Sequence, residues 1–416
     1  MTRYLLSVAL ALLIAPTANA QSRIILFIGD GVGVSHWTAA RFAADNLAVN
    51  QFKVMGLVDT RASNSRVTDS AAGATAYSAG VRTFNGAIGV GPDSQPVETV
   101  LEVAKKRGWA TGLVATSSVT HATPASFAAH VPSRASEFDI AKQMADLGPE
   151  VMLGGGVRYF SADARPDRAD LIAQLRATHR VVTAPDSLGA IEPASTPRVV
   201  GLFGFTQMPH AAARTPTLPA MTRKAIDILS RDQDGFFLMV EGSQPDWRSH
   251  ENAPIEQVVA EVLDFDAAIG VALEYQRTQP DVLVLVVSDH ETGGLAIEVA
   301  RDSAVLAQAA SSLNAATAAL ARAMGVVSGA AADSLRATGV GMVDASDALR
   351  RRARGARTER VVGEYTTAGH TGQMIPLFAS GPGAERFAGI IDNHRVGQLL
   401  LEIARQPATG RREEPR

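Results

Sequence analysis

The sequence predicts an α/β fold with a central, mostly parallel sheet flanked by helices on both faces. Two observations predict it: short apolar runs recur along the chain, and amphipathic segments of helical periodicity lie between several of them. That alternation is typical of parallel sheets built from strand–helix–strand units. The chain of 416 residues is longer than most single domains, but α/β proteins often grow by insertion into one core. We therefore expect a single domain over residues 21–408.

The predicted elements follow in chain order. The apolar runs interpreted as strands are Arg23–Ile28, Val54–Thr60, Ala110–Thr116, Val151–Leu153, Val199–Phe203, Phe236–Val240, Val282–Val287 and Ile375–Ala379. The amphipathic segments interpreted as helices are Val97–Arg107, Glu137–Leu147, Met221–Ser230 and Glu256–Glu274. Residues 302–349 are rich in alanine without a strand signal, which predicts a helical insertion beside the core. The polar residues 409–416 are expected to form a frayed tail.

The first twenty residues have the three parts of a secretory signal peptide. Arg3 is basic, an apolar run extends over Leu5–Ile14, and Ala18-Asn19-Ala20 ends the segment with small residues. The apolar run is shorter than the about 20 residues of a membrane-spanning helix. We therefore expect cleavage after Ala20 and a periplasmic or secreted protein without a membrane partner.

Composition restricts the chemistry of any metal site. The chain has no cysteine, so disulfides cannot stabilise it and metals must be held by oxygen and nitrogen. That favours zinc with His and Asp, or magnesium with oxygen ligands. The formal net charge of −3 gives no case for a nucleic-acid partner. The one basic cluster, Arg350–Arg360, is more typical of a solvated helix end or loop than of an anion site, so we assign it no function.

Metal-binding side chains follow several predicted strands at the point where each strand ends. The most informative pair, Asp289 and His290, comes just after the apolar run Val282–Val287. Residues of the same types end or follow other runs, namely Asp30, Glu241, Asp246, His250 and His370. Open α/β folds build their sites at the carboxyl ends of their strands. Together these residues predict a polynuclear metal site.

Two further segments are candidates for binding an anion. Ser70 begins a predicted helix of very small residues, where its hydroxyl and the free backbone N–H groups can meet an anion. Taken alone, Asp69 or Ser70 could equally be an N-cap. Arg134 offers a planar, two-pronged donor that suits phosphate. His121 and Thr123 precede it and are additional candidate ligands.

The ordered series of these motifs resembles that of the alkaline phosphatase family. The segments that carry the resemblance are Phe27-Ile28-Gly29-Asp30-Gly31, Thr68-Asp69-Ser70-Ala71-Ala72, His121-Ala122-Thr123-Pro124 with Arg134, Val240-Glu241-Gly242 with Asp246 and His250, Asp289-His290, and His370-Thr371-Gly372. They extend from Ile24 to Gly372. The resemblance also implies a homodimer.

The resemblance implies three metal sites. One zinc site takes three residues: Asp246, His250 and His370. The second takes four: Asp30, Asp289, His290 and, when deprotonated, Ser70. A third site, usually for magnesium, takes Asp30, Thr123 and Glu241. The implied reaction is hydrolysis of a phosphate monoester through a phosphoserine on Ser70, with Arg134 holding the phosphate. Paired cations suit this reaction because they stabilise the attacking and leaving oxygens together.

Two positions differ from some members of the family. His121 and Trp247 stand where those members have an acid and a lysine, which leaves the identity of the third ion open. We expect both side chains beside the metals rather than on them, and we expect Asp69 to orient Arg134.

Three related enzyme classes are the nearest alternatives: phosphodiesterases, sulfatases and mutases on a similar metal scaffold. Arg134, Thr123 and Glu241 favour monoesters, because a dianion needs the additional positive field. A phosphate-binding protein without turnover is a more distant alternative. It would need no nucleophile, so Ser70 argues against it.

Overall fold

A computed structural model describes residues 22–300 and 360–406 of the chain. Four predicted features lie outside these residues: the signal peptide, the insertion over 302–349, the tail over 409–416 and the arginine cluster up to residue 359. Among the described residues, none belongs to a helix that is long and apolar enough to span a lipid bilayer.

The strands of the described chain form one large sheet and two small ones. Their bounds are β1 Arg23–Gly29, β2 Val54–Asp59, β3 Ala110–Ser118, β4 Val151–Gly155, β5 Arg180–Val182, β6 Val199–Leu202, β7 Phe236–Gly242, β8 Val282–Val287, β9 Glu291–Thr292, β10 Leu295–Ala300, β11 Arg360–Tyr365, β12 His370–Thr371, β13 Ile375–Ser380 and β14 Gly389–Asp392.

The large sheet has ten strands in the order β14-β2-β13-β8-β1-β7-β3-β4-β6-β5. Every neighbouring pair is parallel except at β13, which runs antiparallel to both β2 and β8. The predicted mostly parallel sheet is therefore confirmed. Two small antiparallel pairs, β10 with β11 and β9 with β12, lie outside this sheet.

Helices cover both faces of the large sheet. Their bounds are α1 Val34–Ala43, α2 Ser70–Ala79, α3 Val100–Lys106, α4 Ala122–Ala128, α5 Glu137–Leu147, α6 Val157–Phe160, α7 Leu171–Arg176, α8 Leu218–Leu229, α9 Gln244–His250, α10 Ile255–Thr278 and α11 Asn393–Arg405. Alternate residues of β1 point to opposite faces. Ile24, Leu26 and Ile28 pack with α2 to α5 and α11, whereas Ile25 and Phe27 pack with α1, α8 and α10.

The register of the three central strands brings their carboxyl ends together. Gly29 of β1 lies opposite Gly242 of β7, and Ile28 lies opposite Val287 of β8. Polar residues that end or follow these strands therefore meet at one edge of the sheet. This edge carries the candidate site.

Candidate metal centre

Three groups of acidic and histidine side chains converge at the carboxyl edge of the central strands. Within each group, the candidate ligand atoms lie within 4.8 Å of one another. The outer group is Asp246, His250 and His370; the inner group is Asp30, Asp289 and His290; the third group is Asp30, His121 and Glu241. The fold thus brings together residues from five segments that are far apart in the sequence.

In the outer group, two imidazole nitrogens face each other. The Nε2 atoms of His250 and His370 are 3.1 Å apart, and they lie 3.3 and 3.7 Å from Oδ1 of Asp246. The Nδ1 atoms point at backbone oxygens, that of His250 at Ala368 O (2.6 Å) and that of His370 at Thr68 O (2.9 Å). Because a carbonyl only accepts, each Nδ1 carries a proton, and each ring presents a lone pair at Nε2 once that nitrogen is deprotonated. Facing lone pairs beside a carboxylate fit a shared cation.

The pKa values of His250 and Asp246 reflect the attraction between these two side chains. The hydrogen bond and negative charge of Asp246 raise the pKa of His250 to about 9. Burial alone would raise the pKa of Asp246, but the hydrogen bond from His250 and the neighbouring histidines hold it below its usual range. In the metal-free protein, a proton on His250 therefore offsets the negative charge of Asp246, which a bound metal would otherwise neutralise.

The inner group is fully buried. Nε2 of His290 lies 3.3 Å from Oδ2 of Asp289 and 3.6 Å from Oδ1 of Asp30. In the described part of the chain, both oxygens of Asp30 and Oδ2 of Asp289 are buried without a hydrogen-bond partner. Burial, reinforced by nearby carboxylates, raises the pKa of Asp30 well above its usual value. Unpaired buried carboxylates are costly, so this donor set fits a divalent cation.

Helix α2 approaches the inner group closely because its residues are small. A Cβ atom on Gly73 would lie 3.1 Å from both Cβ and the backbone oxygen of Asp289. The hydroxyl of Tyr77 donates to Ser288 O at 2.6 Å and fixes the helix against the end of β8. As a result, Oγ of the buried Ser70 lies 3.3 Å from Nε2 of His290.

Asp69 connects the start of α2 to Arg134. Its carboxylate accepts from Ala72 N at 3.0 Å as an N-cap and from Gly86 N at 3.0 Å. It also accepts from Nη1 of Arg134 at 3.0 Å. Nη2 of Arg134 lies 3.1 Å from Nε2 of His121. Two anchors thus hold the guanidinium beside the helix start, where backbone N–H groups favour an anion.

The third group includes His121, which the sequence analysis expected only beside the metals. In the described chain, Nδ1 of His121, Oγ1 of Thr123 and Oε1 of Glu241 are all buried without hydrogen-bond partners. Burial and Arg134 lower the pKa of His121 to about 3, so its ring is neutral, with Nε2 accepting from Arg134 and the proton on Nδ1. Burial raises the pKa of Glu241 to about 7. Trp247 packs edge-on against His121, with ring centroids 5.8 Å apart.

Sequence reasoning missed Thr292, two residues after His290. Its hydroxyl donates to Oδ1 of Asp246 and lies 3.2 Å from Nδ1 of His290. Since a hydroxyl has one proton, it accepts from Nδ1–H, which leaves Nε2 of His290 free for the inner group. One residue therefore orients a ligand in each of two groups. Its spacing from the Asp289-His290 pair is the only sequence signal for it.

Comparison with known proteins identifies the family. A sequence model described as alkaline phosphatase matches residues 21–406. The chain belongs to the alkaline phosphatase family. It is 34% identical to alkaline phosphatase 3 of Bacillus subtilis over 93% of this chain and 92% of that protein. It is 35% identical to streptomycin-6-phosphate phosphatase of Streptomyces griseus, over 68% of this chain and 78% of that one.

The structural comparison agrees. The alkaline phosphatase of the Antarctic bacterium TAB5 has a TM-score of 0.75 and 34% identity, with 92% of this chain and 98% of that chain covered. The predictions of the family, the fold and the enzyme class are confirmed: this alkaline phosphatase homologue is a phosphoric monoester hydrolase of a metal-dependent family.

Proposed function

We propose that this alkaline phosphatase homologue is an exported enzyme that hydrolyses phosphate monoesters through a phosphoserine on Ser70. The observation that supports it most directly is the position of Ser70. Its Oγ lies at the start of the small-residue helix α2, 3.3 Å from His290 of the inner group. The Arg134 guanidinium is held beside the same helix start by Asp69. The proposed nucleophile, cation ligands and phosphate clamp therefore lie around the same helix start.

The chain's own residues would carry the reaction in two displacements. Ser70 gives its proton to solvent and its Oγ forms a bond to phosphorus while the bond to the leaving oxygen breaks; the released alkoxide takes a proton from solvent. A water then attacks phosphorus, the bond to Oγ breaks, and the proton that this water loses goes to Oγ of Ser70. Arg134 holds non-bridging phosphate oxygens through both steps. Bound divalent cations would lower the pKa of the serine and of water, and neutralise developing charge.

We propose two zinc ions and one magnesium ion. The outer and inner groups combine imidazole with carboxylate, which suits zinc. In the third group, Asp30, Thr123 and Glu241 supply the oxygen ligands that magnesium prefers, and the ring of His121 lies beside them. Variants of the TAB5 enzyme with Glu or Asp in place of a histidine have magnesium in a site called M3. Elemental analysis of the purified protein tests the two-to-one ratio.

The phosphoserine is tested by trapping. The enzyme is mixed with ³²P-labelled substrate, quenched in acid and digested, and the labelled peptide is sequenced. Label on Ser70 is expected, and label on any other residue contradicts the proposal. Rates on a monoester, a diester and a sulfate ester are compared in the same preparation. Faster turnover of the diester or the sulfate ester would favour one of the alternative enzyme classes.

Export is proposed from the signal-peptide pattern of Met1–Ala20. Amino-terminal sequencing of protein recovered outside the cytoplasm should begin at Gln21. A full-length protein retained in the cytoplasm would contradict the proposal.

A homodimer is also proposed, as the family resemblance implies. Apolar side chains at the β2 and β14 edge of the sheet are available for this contact: Met55 is 57% exposed, Leu57 39% and Ile390 73%. Leu57 lies opposite Ile390 in the register, so these side chains share one face. Light scattering should give twice the chain mass, and the L57E/I390E double variant should give the monomer mass. A monomeric parent contradicts the proposal.

A further inference from the structure

Helix α1 begins with a fully buried histidine, His36, that the reaction above does not use. His36 is outside all three candidate ligand groups. Burial, only partly opposed by the charge of Asp246, lowers its pKa to about 4, so the ring is neutral at any pH where the metal ligands are deprotonated. A neutral imidazole has one donor and one acceptor.

The partners of His36 define a directed chain of hydrogen bonds. Gly33 N donates to Nδ1 of His36 at 3.2 Å, so the proton of the ring is on Nε2. Nε2 lies 2.9 Å from Oγ of Ser249, and that hydroxyl donates to Pro245 O at 2.8 Å. Each proton in this series of hydrogen bonds has one acceptor, so the orientation and tautomer of the His36 ring are fixed.

Both ends of this hydrogen-bond series lie next to candidate metal ligands. Gly33 lies three residues after Asp30 of the inner group. Ser249 and Pro245 belong to α9, the seven-residue helix that carries Asp246 and His250 of the outer group. At its start, α9 has no side-chain cap hydrogen bond, but Nε2 of Gln244 donates to Thr116 O and Met208 O at 2.9 Å each. The contact between Ser249 and His36 holds the later part of the helix, next to His250.

We infer that His36 is a positioning residue that fixes α9 against the loop after β1, and thereby sets the geometry of the outer metal group. The inference rests on the proposed metal function. Residues that orient metal ligands typically change metal affinity by about 10- to 100-fold when they are replaced. Removal of His36 should therefore act on metal retention, although His36 contacts no candidate ligand directly.

Four variants test this inference. S249A removes the link to α9 but leaves the Gly33 contact, and H36A removes both. H36Q is the conservative replacement, because it supplies one acceptor and one donor. H179A is the matched control: His179 is also a buried histidine whose Nε2 contacts a backbone oxygen, Pro149 O at 2.9 Å, but it lies near the edge strand β5.

The measurement is zinc release from the full-length, metal-loaded protein into excess chelator. We expect S249A and H36A to release one of the two zinc ions about 10- to 100-fold faster than the parent. H36Q should recover part of the difference, and the S249A/H36A double variant should not exceed H36A. H179A should lower the unfolding temperature but release zinc at the parental rate. If H36A does not fold, S249A gives the same test.

Cobalt substitution gives a second readout. The visible absorption of Co²⁺ at the outer group should change in S249A and stay unchanged in H179A. If the parent holds two zinc ions and S249A matches it in release rate and spectrum, the inference about His36 is wrong and the proposed function stands. If the parent holds no zinc, the proposed metal function is wrong, and the inference fails with it.

Discussion

The outer and inner ligand groups have similar donor atoms, but they differ in burial and in the secondary structure that carries them. The inner group lies at the ends of β1 and β8 and is completely buried. The outer group lies on α9 and at the start of β12, and the side chain of His250 is 37% exposed. The inner ligands directly follow central strands of the large sheet, which fixes their backbone. The outer rings are oriented by single hydrogen bonds to Ala368 O and Thr68 O. The outer ion should therefore exchange with solvent more readily.

The groups also differ in how they respond to protons. Burial lowers the pKa of His290 in the inner group. In the more exposed outer group, the contact with Asp246 raises the pKa of His250 to about 9. Near neutral pH, a proton therefore competes with a metal for His250 but not for His290. The predictions below test this contrast, from the largest expected effect to the smallest.

The largest effect is expected from Ser70→Ala. Ser70 contacts the inner group, but its loss leaves the other three ligands of that group in place, so both zinc ions should remain. Turnover should fall by at least about 10³-fold, because the nucleophile acts together with the rest of the site. Steady-state rates and elemental analysis of the same sample check this. Near-parental turnover would exclude Ser70 as the nucleophile.

Arg134→Ala should have the next largest effect. Arg134 is anchored by Asp69 and His121 rather than by either zinc group, so metal content should not change. The value of kcat/KM should fall by about 10²-fold, about 2.7 kcal/mol, and inhibition by phosphate should weaken. Arg134→Lys should recover only part, because a point charge cannot reproduce the paired geometry. Undiminished phosphate inhibition of the Ala variant would place Arg134 outside the site.

The pH dependence tests the outer group directly. In the metal-free protein, the raised pKa of His250 contributes stability that is complete below about pH 6.5 and is lost as the pH rises through about 9. Zinc needs the deprotonated ring, so the affinity of the outer group should rise about tenfold per pH unit between pH 7 and 8.5. An NMR titration of the histidine rings should find His250 titrating near pH 9 and His290 neutral throughout. If His290 titrates near pH 9 and His250 stays neutral, the predicted difference in protonation between the two groups is wrong.

Gly73→Ala should have the smallest effect and should disturb only the inner group. The added methyl would press against Asp289 at 3.1 Å, which should cost about 1–3 kcal/mol and lower the unfolding temperature by several degrees. Gly270→Ala is the matched control: it lies in α10, where the methyl would meet only Cβ of Ala48 at an ordinary 3.7 Å. It should leave stability unchanged or raise it by up to about 1 kcal/mol. Equal unfolding temperatures for the two variants would contradict the close packing of α2.

Prediction of the fold from sequence was accurate at the centre of the sheet and weaker at its edges. The run Val282–Val287 is buried on both faces, so its apolar composition alone indicates a strand. The edge strands β5 and β14 were missed because they are short and partly exposed. The direction of an individual strand was also beyond the sequence, because side-chain periodicity is the same in parallel and antiparallel strands. The reversal of β13 became apparent only in the register.

The sequence by itself determined the family and most candidate ligands, because those residues occur in short motifs with fixed local spacing. Asp246 with His250 and Asp289 with His290 are such pairs. Only the tertiary structure decided which residues orient them. His36 and Ser249 are 213 positions apart and meet because β1 and β7 are neighbours in the sheet. The third group depends on folding in the same way, since the strands β1, β3 and β7 must pair before Asp30, His121 and Glu241 can converge.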